Sequence, residues 1–406
     1  MNAEAVRGER LHALDAVRGG ALLLGVVFHA CLAFMPGPQI WIVEDASQSV
    51  ALSVMFYVLH IFRMSVFFLL AGFFARLMLK RRGLVGFVAN RAVRIAAPLV
   101  AFWPFTLGSI IAVLIWVAVR ANGGVAPQGE PPPPLTAETF PLTHLWFLYV
   151  LLIFYAGALL LRALVVALDR GGGFRAGVVD PVVKLVAGPA AAMFLAAPVF
   201  AALYFAPRWY MWFGVPTPDT GLFPNWTALA AYGVAFGFGW LVSRQQEILQ
   251  DWARHWPANL GLGIACAIGC LAMVGVTPVL TPAEPGLDRL LYAAMYALAI
   301  WGWTLGLVGF AVRFCAGHSS ARRYIADASY WIYIVHLPIV LVLQAALAPY
   351  AWPWFVKFPL ILAVAFALML ASYQLMVRYS FVGAILNGKR RKPERTRARE
   401  AVAAAE

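Results

Sequence analysis

The stretch ALLLGVVFHACLAF, residues 21–34, decides the fold. It is an apolar run introduced by Asp15 and Arg18, and it carries His29 in its middle. An ionisable side chain inside a membrane-spanning helix is costly and is read as functional by default. On a helix Asp15, Arg18, Leu22, Gly25 and His29 recur along one side. Arg18 and His29 are about three turns apart, a rise of roughly 16 Å. With Arg18 at the inner boundary, His29 lies near or just beyond the bilayer midplane. A lone membrane histidine also has a plain structural reading, a hydrogen bond to a neighbouring helix.

Working outward, the composition agrees. The chain has 406 residues, 63% hydrophobic and only 12% charged. A soluble globular domain carries about twice that charged fraction. Windows of ~20 apolar residues recur about ten times. They fall at 15–36, 50–79, 95–119, 145–168, 183–206, 226–243, 258–279, 289–313, 328–348 and 355–378. MPGPQ, GEPPPP, DRGGGFR and TPAEPG separate four of them with turn chemistry that ends helices. The expected fold is therefore an all-α, polytopic membrane protein. Residues 1–380 form a single transmembrane domain, and 381–406 form a basic, disordered tail. The four cysteines are scattered through apolar segments and read as small hydrophobes, with no metal site.

Orientation follows from the basic residues. Of the 31 lysines and arginines, all but Arg63, Arg120, Arg208, Arg289 and Lys357 fall in alternate loops, at their edges or in the tail. The positive-inside rule puts that side, and with it both termini, in the cytoplasm. An even span count agrees. Asp15 and His29, with nine spans following, argue against a cleaved signal peptide. The net charge of +13 is thereby explained by topology and by the tail NGKRRKPERTRARE, which reads as a segment lying near anionic membrane lipids. Nucleic acid is not an expected partner.

Other polar residues stand out against the apolar background. His60 and Arg63 sit at i and i+3 in the second span, and Arg63 is the one cation far from both span ends. A structural ion pair or a bound anionic group would each meet the cost of burying it. On the ninth span Ser329, Tyr333 and His336 align on one face, with His336 at a depth similar to His29. Core packing is the simpler reading of those three. Arg91 and Arg94, at i and i+3, are equally consistent with positive-inside residues and with an anion site.

Several of these pieces together resemble the membrane acyltransferase-3 family. They are LHALDAVRGGALLLGVVFHA (11–30), the FF-x-x-A-G-F-F run at 67–74, and the pair Arg91 and Arg94 running into Pro98. HLWFLYVLLIFY (144–155) looks like the start of the family's fourth helix. SYWIYIVHLPIVLVLQ (329–344) looks more narrowly like the branch of periplasmic glucan succinyltransferases. The resemblance runs from residue 11 to about 380. Ala71 departs from it, because many relatives carry Ser there.

The resemblance implies an enzyme, an acyltransferase of groups other than aminoacyl groups. It would move an acetyl or succinyl group from cytoplasmic acyl-CoA to a hydroxyl of a periplasmic glycan, from the bacterial inner membrane. Acyl-CoA is then a co-substrate, and no permanently bound cofactor is expected. Guanidinium forks suit the phosphates of CoA, which assigns Arg91 and Arg94 to donor binding. His29 becomes the general base or a transient acyl carrier, with Asp15 and Arg18 as the accompanying catalytic candidates. Burial favours a neutral imidazole, which can accept a proton. Its orienting partner is left open among Glu44, Asp45, Glu138 and a Tyr or Ser hydroxyl. Arg63 and His60 would hold a carboxylate such as that of a succinyl group, and Tyr333 and His336 would line the substrate site. RWYMWF at 208–213, beside His144 and Trp146, would stack the acceptor sugars through Trp209 and Trp212. The alternative class is a transporter or flippase for a small amphiphile or glycan precursor, which mid-depth polar residues would also suit.

Overall fold

The computed structural model describes residues 3–125, 134–317 and 319–388. Among them the regular structure is helical, apart from one isolated bridge between Pro141 and Thr220. The helices are α1 (Ala3–Cys31), α2 (Val50–Arg91), α3 (Ala97–Ala121), α4 (Trp146–Leu168), α5 (Asp180–Val186) and α6 (Ala191–Tyr204). They continue as α7 (Trp226–Val242), α8 (Ile248–Val274), α9 (Leu287–Phe314), α10 (Ser320–Leu347), α11 (Trp354–Ser372) and α12 (Phe381–Asn387). This is a polytopic all-α membrane protein.

Among the described residues seven helices are long and apolar enough to cross a bilayer, or eight if a bent pair counts as one span. Each apolar window read from the sequence carries helix, and the counts differ for three local reasons. The run Val50–Ala121 is helical over 72 residues. Straight, it would be about 108 Å long against ~30 Å of hydrocarbon. It is broken at Gly83, whose φ of 69° suits glycine, and re-aimed by a π-turn at Ala92–Ala96 before Pro98. Residues 175–186 and 191–204 form the bent pair, at 94°. The helix α7, at 17 residues, is slightly short.

In lipid, helices associate through close packing and interhelical hydrogen bonds. Helix α2 meets α7 where a methyl group at Gly72 would overlap the Phe236 carbonyl and one at Gly239 the Leu69 carbonyl. The α8–α9 hairpin closes in the same way at Gly263 and Gly302. Helix α1 packs between α2 and α10, which brings the histidine span into the middle of the bundle.

The loop from 35 to 49 folds back over the end of α1. Asp45 N–H donates to Ala33 O and Ser49 N–H to Phe34 O, both at 2.8 Å, and Ser49 Oγ then caps α2. This loop is fastened to α11 by Lys357, whose Nζ sits 2.7 and 2.9 Å from the two Asp45 oxygens. Both residues of that pair are buried, at 1% and 2% exposure. Helix α12 opens the segment read as a tail. It is tied down by Asn387, which donates to Asp327 O at 2.8 Å. The rest of the tail, 389–406, and most of the proline run at 126–133 lie outside the described residues.

Candidate active site

His29 lies in the last turn of α1, where its Nδ1 is 2.9 Å from Gly25 O and 3.0 Å from His336 Nε2. His336 Nδ1 is in turn 2.7 Å from Tyr333 O. A third histidine completes the cluster. The His144 ring stands edge-on to that of His336 at 4.9 Å, and its Nε2 is 3.1 Å from both Tyr333 O and Ile334 O. Tyr333 returns a hydrogen bond from its hydroxyl to His144 O at 2.8 Å. Thr143, just before His144, is held at φ 55°, an unfavourable conformation for a β-branched residue that the surrounding contacts impose.

These partners fix the tautomers. A carbonyl oxygen only accepts, so a ring nitrogen facing one carries the proton. His336 is therefore protonated on Nδ1, and its Nε2 is an acceptor. His29 must then carry its proton on Nδ1, shared between Gly25 O and His336 Nε2. That leaves His29 Nε2 with a free lone pair. Gln344 secures the backbone of the same turn, donating to His29 O at 3.0 Å and Ala30 O at 3.2 Å while accepting from Trp41 Nε1.

His29 lines an outer cavity of about 640 Å³ that also meets His60, Arg63, His144, Trp146, Trp209, Tyr333 and His336. Arg63 lies over the Phe28 ring at 4.2 Å. No carboxylate of the described residues is within ion-pair distance of it, and its Nε has no hydrogen-bond partner. Gly25 makes room for it, since a Cβ there would stand 2.8 Å from Arg63 Nη1. The expected structural ion pair for Arg63 is thus absent among the described residues. His60 beside it stacks on Phe28 and Phe56, with Nδ1 3.4 Å from Tyr296 OH.

A second, inner cavity of about 510 Å³ is lined by Asp15, Arg18, Arg81, Arg82, Arg91, Arg94 and Asp327. Five arginines against two aspartates make its wall strongly cationic. Arg91 ends α2 and Arg94 lies in the following π-turn, so the junction of α2 and α3 presents both. Arg91 is braced by Tyr155 OH at 3.2 Å and Asn90 Oδ1 at 2.9 Å. Leu22, Phe67, Phe147 and Tyr333 line both cavities and stand between them.

Several expectations are corrected by these positions. Asp15 and Arg18 pair with each other at 3.1 Å in the inner cavity. They belong with Arg91 and Arg94 and are not beside the His29 ring, because three helical turns separate them from it. The partner of His29 is no loop carboxylate: Asp45 is committed to Lys357, and His336 takes the place. His336 and Tyr333 are therefore more than packing. Trp209 and Trp212 do not form an open stacking platform, being 1% and 2% exposed. Trp212 stacks on Phe56, and Trp209 Nε1 donates to Gly214 O at 2.6 Å. Of the two, only Trp209 reaches the cavity wall. Gly25, Gln344, Leu22 and Phe67 were not assigned to the site from sequence. Leu22 and Gly25 did carry a signal, their spacing along the His29 side of the helix.

The arrangement is that of a membrane-embedded enzyme, with a histidine cluster on the wall of a mixed polar and aromatic cavity and a cationic cavity beyond the four side chains that line both. The chain belongs to the acyltransferase family: the family model described as an acyltransferase domain matches residues 11–374. Its class is that of acyltransferases acting on groups other than aminoacyl groups. Among curated proteins it is similar to the glucans biosynthesis protein C of Salmonella paratyphi B, Salmonella heidelberg and Salmonella schwarzengrund. Each is 31% identical over 150 residues, which cover 37% of this chain and 38% of the relative. No solved structure matches.

Proposed function

We propose that this protein is an inner-membrane O-acyltransferase that carries an acyl group from cytoplasmic acyl-CoA to a hydroxyl of a periplasmic glycan. The single observation that carries the reading is the position of His29 Nε2, a bare nitrogen on the wall of the outer cavity, which only Leu22, Phe67, Phe147 and Tyr333 divide from the cationic inner one. The basic inner cavity suits the phosphates of CoA, with Arg91 and Arg94 as the forks that grip them. The polar outer cavity suits a sugar hydroxyl. With the basic end inward, both termini are cytoplasmic.

In the proposed step His29 Nε2 accepts the hydroxyl proton as the sugar oxygen attacks the thioester carbonyl. The C–S bond breaks, the new C–O bond forms, and the departing thiolate receives the proton from His29. His336 orients the ring and stabilises the transient imidazolium through its lone pair on Nε2. Movement of Leu22, Phe67, Phe147 and Tyr333 opens the path along which the thioester reaches the histidine. A covalent acyl-histidine is the other form of the same chemistry. Rapid denaturation of a donor-loaded, acceptor-free sample near neutral pH, followed at once by mass spectrometry of the chain, would show the added acyl mass in that form alone.

The name of the Salmonella relatives, glucans biosynthesis protein C, supports a glucan as the acceptor. The unpaired Arg63 favours a carboxylate-bearing acyl group such as succinyl over acetyl. Arg63→Gln is expected to lower the preference for succinyl-CoA over acetyl-CoA by about 10-fold or more, the scale of one charge-assisted hydrogen bond of ~1.5–3 kcal/mol. Equal loss with both donors would sink the carboxylate role. Detergent-solubilised protein should hydrolyse acyl-CoA slowly without acceptor. Arg91→Ala/Arg94→Ala is expected to weaken donor binding by roughly 100-fold while sparing the chemical step once the donor is saturating. Unchanged donor affinity in that variant would overturn the phosphate site.

A further inference from the structure

A third recess lies apart from the two reaction cavities. It is a groove of about 730 Å³ walled by α4 and α7 and closed at one end by α2. Its apolar wall comes from one face of each helix. On α7, Leu229, Gly233, Gly237 and Leu241 follow at four-residue intervals, and on α4 Gly157, Leu161 and Val165 do the same. At Gly157 and at Gly237 an added Cβ would meet nothing within 4 Å. The protein leaves this space open along the two helices. From Leu229 to Arg244 the groove follows the line of α7 for about 22 Å of helical rise. That is the depth of roughly one bilayer leaflet with its headgroups.

The end that α2 closes is cationic: Arg76, Lys80, Arg162, Arg175 and Arg244 gather there. Two of them are already partnered. Arg175 pairs with Asp169 at 2.8 Å, and Arg244 grips Asp180 with two bonds of 2.5 and 2.7 Å. Neither Arg76, Lys80 nor Arg162 lies within ion-pair distance of a carboxylate among the described residues. Arg76 is half-buried and lies within electrostatic reach of three cations, Arg162, Arg175 and Arg244, against one carboxylate, Asp180, which Arg244 already grips. Three like charges at the mouth of an apolar slot call for an anion with a hydrocarbon tail.

We infer that this groove is a binding site for one anionic phospholipid of the leaflet that the basic end faces. The phosphate is held by Arg76, Lys80 and Arg162, and an acyl chain lies along the Gly157 and Gly237 faces. Scattered positive-inside residues attract anionic lipid without choosing a place for it. The groove adds a place. None of its residues lines either reaction cavity.

The test is native mass spectrometry of the full chain released from nanodiscs holding equal phosphatidylglycerol and phosphatidylcholine. The wild-type protein is expected to retain one phosphatidylglycerol with about tenfold preference over phosphatidylcholine, given the attraction of several clustered cations for an anionic headgroup. Arg76→Gln/Lys80→Gln/Arg162→Gln should lose the preference and still retain one lipid of either headgroup. Gly157→Leu/Gly237→Leu should retain none, with its cations intact. Equal retention of both lipids by the wild type would overturn the inference. So would undiminished phosphatidylglycerol in the groove-filled variant, which would reduce the effect to surface charge.

Discussion

His29→Ala is expected to lower acyl transfer by about 10²- to 10⁴-fold, the range that removal of a positioned acid–base group usually costs. The protein should fold as before, since the ring is half-buried against a cavity and its backbone turn is held by Gln344. Donor binding should be retained, because the cationic cavity lies some three helical turns away. His336→Ala is the informative companion. It leaves His29 Nδ1 with Gly25 O and removes the acceptor at 3.0 Å. On the proposed mechanism this lowers kcat with little change in KM for the donor. Transfer at the wild-type rate by folded His29→Ala protein would end the catalytic assignment.

The second large effect concerns stability. Lys357→Met leaves the Asp45 carboxylate buried without its cation, and loss of one partner of a buried pair costs about 3–5 kcal/mol. The lost anchor also frees the loop 35–49, which holds Trp41 against Gln344 and the His29 ring. Asp45→Asn/Lys357→Met removes both charges and should recover more than half of that cost. The measurement is thermal or denaturant unfolding of the detergent-solubilised protein, with transfer activity followed in parallel. A single variant that unfolds with the wild type would mean that water reaches the pair.

The two effects divide along the length of the site. His29 was legible because it is an ionisable residue inside an apolar run, a contrast visible at one position. Arg63 was legible for the same reason, as a charge set against hydrocarbon, whereas Arg91 and Arg94 were singled out by the family resemblance, their spacing alone fitting positive-inside residues equally well. The stacking platform was misread because tryptophans in a polar-looking loop give no sign of whether their faces are covered. Trp212 is covered by Phe56, which lies more than a hundred residues earlier in the chain. The partner of His29 was sought among loop carboxylates and Tyr or Ser hydroxyls, the usual orienting groups. The chain instead brings up a second imidazole 307 residues away.

By itself the sequence determined that this is a helical membrane protein, which span carries a histidine among apolar residues and which loops are basic. Hydropathy, helical period and charge asymmetry are properties of short segments, and short segments suffice to read them. Only the tertiary structure decided that His29, His144 and His336 meet, that Asp45 is bound to Lys357, and that Leu22, Phe67, Phe147 and Tyr333 divide the two cavities. Those facts depend on how helices pack side by side. In lipid that packing is set by small contacts such as Gly72 on Phe236 and Gly239 on Leu69. No single segment records which neighbour its open face will find.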